Sequence, residues 1–225
     1  MQLANRIEAG RLLASNLQAY ADREDVIVLA LPRGGVPVAY EVARALNAPL
    51  DIFVVRKLGV PGHEELAMGA IASGGVRELN DEVLFYLNIA HEEIERVTLE
   101  EQRELDRREK LYRRNSQPLE VRGHTVILVD DGLATGLTMR TAISALKRQQ
   151  PAKIVVAAPV AARETCDSFK TQEDSMCVCV MSPESFDGVG RWYKDFSQTT
   201  DEEVCYLLMH AKTDGSSSTL RCASA

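Results

Sequence analysis

The sequence predicts an α/β fold with a doubly wound, mostly parallel sheet flanked by helices. Short apolar runs recur along the chain: VIVLAL at 26–31, DIFVV at 51–55, TVILVD at 125–130, KIVVAAPVA at 153–161 and MCVCVM at 176–181. Runs of this length without polar alternation are typical of strands buried on both faces. Helical patterns lie between several of them, and strands that alternate with helices favour a parallel sheet.

The elements follow one another in a regular order. An amphipathic opening helix with apolar Ile7, Leu13 and Leu17 is predicted to end near Asp22. The first strand then leads into the loop PRGG at 32–35 and a helix over 36–46, and the strand at 51–55 completes a β–loop–α–β unit. The third strand is followed by a glycine- and threonine-containing loop and a helix that ends near Arg148.

Two segments depart from this alternation. Residues 57–79 are rich in glycine and predict a mobile loop that leads into a short strand or hairpin. Residues 81–114 predict one long, highly charged helical insertion, either a solvent-exposed addition or a dimer contact. We expect a single domain over 1–212, followed by a flexible tail over 213–225.

The composition excludes several classes of protein. The 225 residues carry a formal net charge of −7, which argues against partners such as nucleic acid or an anionic membrane. No apolar run reaches the roughly 18 to 20 residues of a membrane-spanning helix, and the N-terminus lacks the form of a signal peptide. The five cysteines include no CxxC pair, which favours reduced thiols over a disulfide framework or a zinc site, and Cys177 and Cys179 are expected in the core. We therefore expect a cytoplasmic protein.

The segment at 126–139 carries the clearest chemistry. An apolar strand runs into Asp130 and Asp131, and a turn of small and hydroxyl residues at 134–138 then opens a helix. In a parallel sheet this places both acids and the turn at the carboxyl edge, where ligands bind. Backbone N–H groups at a helix N-terminus suit a phosphate, whereas the carboxylates can accept hydrogen bonds from sugar hydroxyls or contact a hydrated Mg²⁺ that the ligand brings. The segment therefore suits a ribose 5-phosphate.

This segment resembles the phosphoribosyl-diphosphate (PRPP) binding motif of the type I phosphoribosyltransferases. The resemblance covers about residues 4–207 and includes NRIEAGRLLA, LPRGGVPVA, RKLGVPGHEELAMGAI and FDGVGRWYKDFSQTTDEEV. These stretches are similar to a phosphoribosyltransferase-like subgroup whose members are sometimes fused to an α/β-hydrolase. The resemblance implies a type I phosphoribosyltransferase fold with a small hood, built from the N-terminal helix and about 182–207.

The resemblance also implies roles for individual residues. The residues expected to bind PRPP are Arg33, Gly34, Gly35, Arg56, Lys57, Asp130, Asp131, Ala134, Thr135, Gly136, Leu137 and Thr138. The residues expected to act in catalysis are Arg33, Lys57, Glu64 and Glu65, with His63 as a further contact in the loop that closes over the reactants. Mg²⁺ is the implied cofactor; it would arrive on the diphosphate and meet Asp130 and Asp131 only through the ligand.

The acceptor is less narrowly defined. Hypoxanthine-type members have an aspartate where Ala134 stands and a lysine after the next strand, where this chain has PVAA at 159–162. A 6-oxopurine acceptor is therefore disfavoured. Phe186 and Trp192 are candidates for stacking on the acceptor under the hood, and core packing is the alternative role for both.

Two functions stay open. The first is a Mg-dependent phosphoribosyltransferase that transfers ribose 5-phosphate from PRPP to a nitrogenous acceptor, such as a nucleobase, and releases pyrophosphate. The alternative is a non-catalytic regulatory protein that binds PRPP or a nucleotide. Because members of the family commonly dimerise, the resemblance also implies a homodimer.

Overall fold

A parallel five-stranded sheet forms the centre of the molecule, for which a computed structural model describes residues 2–114, 116–170 and 175–216. The strand order is β2–β1–β6–β7–β8, and every neighbouring pair is parallel. The strands are β1 (Val26–Ala30), β2 (Leu50–Ile52), β6 (Thr125–Val129), β7 (Lys153–Val160) and β8 (Ser175–Met181). All residues of β1 and β6 are buried, as expected for central parallel strands. The predicted fold class is confirmed.

Helices cover both faces of this sheet. The helices are α1 (Arg6–Ser15), α2 (Gly35–Leu46), α5 (Leu137–Arg148), α6 (Arg163–Lys170) and α7 (Asp201–Ser216). Apolar residues of α1, α2 and α7 share one core with alternate residues of β1, and those of α5 and α6 share a second core with the others. Helix α1 ends earlier than predicted and is followed by a 3-10 turn at Gln18–Tyr20, whereas α6 was not predicted.

A second, antiparallel sheet replaces the loop predicted at 57–79. It consists of β3 (Val55–Val60), β4 (His63–Ala72) and β5 (Val76–Leu79) in sequence order. The predicted strand at 51–55 is therefore wrong in its extent, because Val55 already belongs to the second sheet. Glycines at positive φ form its turns, Gly62 in the first and Gly74 and Gly75 in the second.

The predicted single helix at 81–114 is also wrong: it is two helices, α3 (Asp81–Leu87) and α4 (His91–Arg113). Asn88 adopts a left-handed conformation with φ of 47° and ends α3. Helix α4 buries Ile94, Leu105 and Tyr112 against the body of the protein, so it docks along one face.

The C-terminal helix α7 corrects the predicted extent of the hood and the predicted start of the tail. Helix α7 packs against α2 and α4, so residues 201–207 belong to the helical layer and not to a hood. The predicted tail begins within α7, and residues 217–225 lie outside the described part of the chain. Among the described residues, no helix combines the length and apolar character that crossing a bilayer requires.

Candidate active site

The two acids lie at the carboxyl ends of the central strands, directly after β6. The neighbouring strand β1 is in register with β6 up to Ala30 and Val129, so the loop at 32–35 emerges beside the acids. A Cβ built on Gly35 would lie 2.7 Å from the carbonyl oxygen of Val129, and one built on Gly34 would overlap the carboxylate of Asp131. The close approach of this loop to the acids therefore requires glycine at both positions.

An arginine that the sequence reasoning missed holds one of the acids. The Arg6 Nη2 and Nε atoms lie 2.8 Å and 2.9 Å from Asp131 Oδ2, and the Arg6 guanidinium also donates to the carbonyl of Ser197 at 2.7 Å. The guanidinium carbon lies 4.0 Å from the ring centroid of Phe196. Arg6 is the first residue of α1, and its contacts with Phe196 and Ser197 fix the guanidinium that orients the Asp131 carboxylate.

The electrostatics of the acid pair favour a ligand that supplies hydrogens or positive charge. Burial, together with the charge of Asp131, raises the pKa of Asp130. Burial also raises the pKa of Asp131, although the charge of Arg6 opposes the shift. The Asp131 amide donates to Asp130 Oδ1 at 2.8 Å, and the Tyr193 hydroxyl donates to the Asp131 carbonyl at 2.6 Å. Sugar hydroxyls or a cation would offset this concentration of negative charge.

The turn between β6 and α5 is built from small and hydroxyl residues. Gly136 has a φ of 72°, and the Thr165 hydroxyl of α6 donates to the Ala134 carbonyl at 2.5 Å. Ala134 and Thr135 before α5, and Leu137 and Thr138 in its first turn, are exposed. Because the first N–H groups of a helix have no partner within the helix, this turn can receive a phosphate.

Two of the predicted basic residues are paired with acidic residues. The peptide between Pro32 and Arg33 is cis, and Arg33 Nη1 lies 3.6 Å from Asp201 Oδ1 at the start of α7. Arg56 Nη2 lies 2.6 Å from a carboxylate oxygen of Glu101 on α4. Both guanidinium groups would have to exchange these partners to contact a diphosphate.

The remaining predicted catalytic residues lie on the hairpin of β3 and β4. Lys57 Nζ donates to the carbonyl of Glu65 at 3.1 Å and lies 3.8 Å from its carboxylate. His63, Glu64 and Glu65 are exposed at the start of β4. In this structure Lys57 therefore contacts the hairpin itself, and the three residues at the start of β4 face solvent.

The predicted aromatic residues belong to a small cluster formed with the N-terminus. The rings of Phe186 and Trp192 are stacked, with centroids 6.3 Å apart and an angle of 18° between planes. The Leu3 amide donates to the Trp192 carbonyl, and the Leu3 carbonyl accepts from the Lys194 amide, each at 2.8 Å. The indole Nε1 of Trp192 is buried without a hydrogen-bond partner in the described part of the chain.

This hood contacts the segment of the acids through Val189 as well as through Tyr193, whose hydroxyl donates to the Asp131 carbonyl. A Cβ built on Gly132 would overlap the side chain of Val189, which places the hood directly over the residue that follows the acid pair. The observed hood comprises residues 186–197 packed with residues 2–5 and with Ala9 and Leu12 of α1, so the predicted N-terminal helix takes part, whereas only part of the predicted range 182–207 does.

Known proteins with similar sequences and folds agree with this geometry. The family model of the phosphoribosyl transferase domain matches residues 2–191. A Mycobacterium tuberculosis (strain ATCC 25618 / H37Rv) protein named "Putative phosphoribosyl transferase" is 42% identical over 210 residues, which are 93% of this chain and 47% of that protein. The chain thus spans about half the length of the curated relatives it matches.

Two solved structures share the fold of this chain. TT1426 from Thermus thermophilus, whose crystal structure is known, is 40% identical in sequence to this chain. The two structures superpose with a TM-score of 0.80, and the match covers 93% of this chain and 99% of TT1426. The AQ2163 protein from Aquifex aeolicus, at 12% identity, has a TM-score of 0.50 over 90% of this chain and 84% of its own, which shows a shared fold. Since the family model extends from the N-terminus through the central sheet into the hood, this chain belongs to the phosphoribosyl transferase domain family.

Proposed function

We propose that the protein is a Mg-dependent phosphoribosyltransferase, which transfers ribose 5-phosphate from PRPP to a nitrogenous acceptor such as a nucleobase. The observation that carries this proposal is the contact of the glycine loop at 32–35 with Asp130 and Asp131. Through this contact, a loop whose backbone amides suit a polyanion lies beside two carboxylates that can accept hydrogen bonds from sugar hydroxyls. The turn at 134–138, which opens α5, follows the carboxylates in the chain.

Each part of PRPP has a counterpart in the site. The carboxylates of Asp130 and Asp131 would accept hydrogen bonds from the ribose hydroxyls, and the turn at 134–138 would receive the 5-phosphate. The amides of Gly34 and Gly35, with the guanidinium of Arg33, would contact the diphosphate, for which Arg33 must leave Asp201.

The donor set fits a magnesium ion that arrives with the substrate. Two adjacent carboxylates supply oxygen atoms of the kind Mg²⁺ prefers, and a nearby cation would favour their ionised forms, which burial disfavours. Asp130 and Asp131 would hold the ion through ligand oxygens, and the ion would neutralise charge on the diphosphate.

The reaction breaks the bond between C1 and the diphosphate oxygen and forms a bond between C1 and the acceptor nitrogen. Positive charge grows on the ribose as in glycoside cleavage, and negative charge grows on the leaving pyrophosphate. Arg33, Lys57 and the glycine amides would stabilise the leaving group. Closure of the β3–β4 hairpin would bring Lys57, Glu64 and Glu65 over the reactants and exclude water.

The acceptor would bind between the acids and the hood. Ala134 supplies no carboxylate to an acceptor, which supports an acceptor other than a 6-oxopurine. Phe186 and Trp192 are stacked on each other in this structure, so a planar acceptor would meet one face of the pair.

Calorimetric titration of PRPP, with and without Mg²⁺, tests the site. Wild type should bind PRPP in a Mg-dependent manner, and the Asp130→Asn/Asp131→Asn variant should lose this binding. The Glu202→Gln/Glu203→Gln variant removes two adjacent exposed acids on α7 and serves as the control. Absence of binding in wild type would contradict the proposal.

A release assay then separates the two functions. Pyrophosphate release in the presence of a panel of nitrogenous acceptors is expected for the transferase. Mg-dependent binding without release would favour the alternative, a non-catalytic PRPP- or nucleotide-binding regulatory protein. The pairing of Arg33 with Asp201 and of Arg56 with Glu101 is the observation that supports this alternative.

A further inference from the structure

Three cysteine side chains converge on one point between α6 and β8, away from the acid pair. The Cys166 Sγ lies 3.4 Å from the Cys177 Sγ and 3.3 Å from the Cys179 Sγ, and the two strand sulfurs are 3.4 Å apart. Cys177 and Cys179 share a face of β8 because side chains alternate along a strand. Cys166 meets them from the helix that covers this edge of the sheet.

The surroundings of the sulfurs are apolar on one side and open on the other. Cys166 and Cys177 are 2% and 8% exposed and belong to the core that α5 and α6 form with the sheet. Cys179 is only partly buried, so an ion can reach the cluster from that side.

We propose that Cys166, Cys177 and Cys179 form a three-sulfur site for one thiophilic d¹⁰ metal ion, Zn²⁺ or Cu⁺. Thiolate sulfur selects such ions over Mg²⁺ and Ca²⁺. Three sulfurs at about 2.3 Å from a tetrahedral zinc would lie about 3.8 Å apart, so each pair must separate by only about 0.4 Å. In the described part of the chain, no histidine or carboxylate joins the set.

The charge balance favours Zn²⁺. Binding breaks three S–H bonds, forms three metal–sulfur bonds and sends three protons to solvent. The product carries a net charge of −1 with Zn²⁺ and −2 with Cu⁺. Because a partly apolar site disfavours net charge, the charge difference acts in favour of the zinc complex.

Simple core packing and a disulfide are the competing explanations. Cysteine often packs as a small apolar side chain, but packing alone does not require three sulfurs to face one another. A disulfide would use two of the three sulfurs and leave the third as a thiol. An ion uses all three, so the individual variants distinguish these explanations.

The site would join α6 to the edge strand β8. Helix α6 also carries Thr165, whose hydroxyl donates to the Ala134 carbonyl in the turn at 134–138. Amide hydrogens of α6 should therefore exchange more slowly when the ion is bound, a result that does not depend on the proposed transferase activity.

The test is competitive titration of the full chain, reduced with a phosphine and freed of metal by chelation. Zn²⁺ is titrated against a chromophoric chelator, and Cu⁺ is titrated against a Cu⁺-selective chelator in a second arm. We expect one bound ion per chain and release of about three protons per ion. Cys166→Ser, Cys177→Ser and Cys179→Ser should each lose this binding.

The Cys205→Ser/Cys222→Ser variant removes the two other cysteines of the sequence and should bind as wild type does. Circular dichroism checks the fold of each variant, and Cys179→Ser is the most informative because its side chain is only partly buried. Retention of one equivalent in any of the three cluster variants would overturn the proposal. So would failure of both ions to bind wild type, or formation of a disulfide in the cluster with no binding under reduction.

Discussion

Replacing Arg6 with glutamine tests how the acid pair is held. Arg6 and Asp131 are 11% and 14% exposed at their side chains, so the ion pair is largely shielded from water. Removing one partner of a buried pair costs about 3 to 5 kcal/mol. We expect the lower end, about 3 kcal/mol, because Asp131 has a raised pKa and can take up a proton when the guanidinium is absent. For a chain of this size, that loss lowers Tm by about 6 to 12 °C.

Arg11 on the same helix provides a matched control. It pairs with Glu41 at 2.9 Å, but its side chain is 63% exposed and Glu41 also keeps Arg44 at 2.9 Å. Arg11→Gln should therefore cost about 0.5 kcal/mol or less. Urea unfolding gives both values, and in an Asp131→Asn background the cost of Arg6→Gln should fall. Equal costs for Arg6→Gln and Arg11→Gln, or no change in that background, would refute the reasoning.

Three further predictions concern the same site. Gly136→Ala should lower the free energy of unfolding by about 2 kcal/mol more than Gly123→Ala does. Both glycines have positive φ, but only Gly136 lies against side chains of α6. Equal costs of the two substitutions in chemical denaturation would contradict this. Burial raises the pKa of Asp130, so ionisation of this carboxyl opposes folding, and the free energy of unfolding should fall as pH rises above about 4. Asp130→Asn should therefore be more stable than wild type at about pH 8, and urea unfolding should show this difference shrinking towards about pH 4. Asp201→Asn should tighten PRPP binding by about 2- to 5-fold by releasing Arg33, as measured by calorimetry, and unchanged or weaker binding would contradict that role.

The central sheet could be predicted because its strands are buried on both faces. Such strands appear in the sequence as continuous apolar runs, and the runs at 26–31, 125–130 and 153–161 fall within one or two residues of β1, β6 and β7. The position of the acid pair could be predicted for a related reason, since ligands bind at the carboxyl ends of parallel strands, whereas the glycine loop is predicted from the family resemblance.

The second sheet and the divided helix could not be predicted from the same signals. Strands β3 and β4 mix glycines and charged residues with apolar ones, so neither a continuous run nor a clean alternation marks them. The break at Asn88 depends on one left-handed residue within a segment that is otherwise favourable for helix.

Other features could not be predicted because they depend on contacts between residues far apart in the sequence. Arg6 and Asp131 are 125 residues apart, and the sequence around Arg6 offers another arginine on the same helix with nothing to distinguish them. The cysteine cluster could not be predicted for the same reason. The alternation of Cys177 and Cys179 on β8 is visible in the sequence, but Cys166 meets this pair only because α6 packs on the sheet. The acceptor, the homodimer and the cytoplasmic location stay predictions that follow from the sequence.

A crystal structure of the protein with PRPP and Mg²⁺ tests the central claim most directly. The proposal predicts the ribose hydroxyls against the carboxylates of Asp130 and Asp131, and the 5-phosphate in the turn at 134–138. It also predicts the diphosphate against the loop at 32–35, with Arg33 turned away from Asp201. PRPP bound at another place, or bound at this edge without contact to either carboxylate, would contradict it.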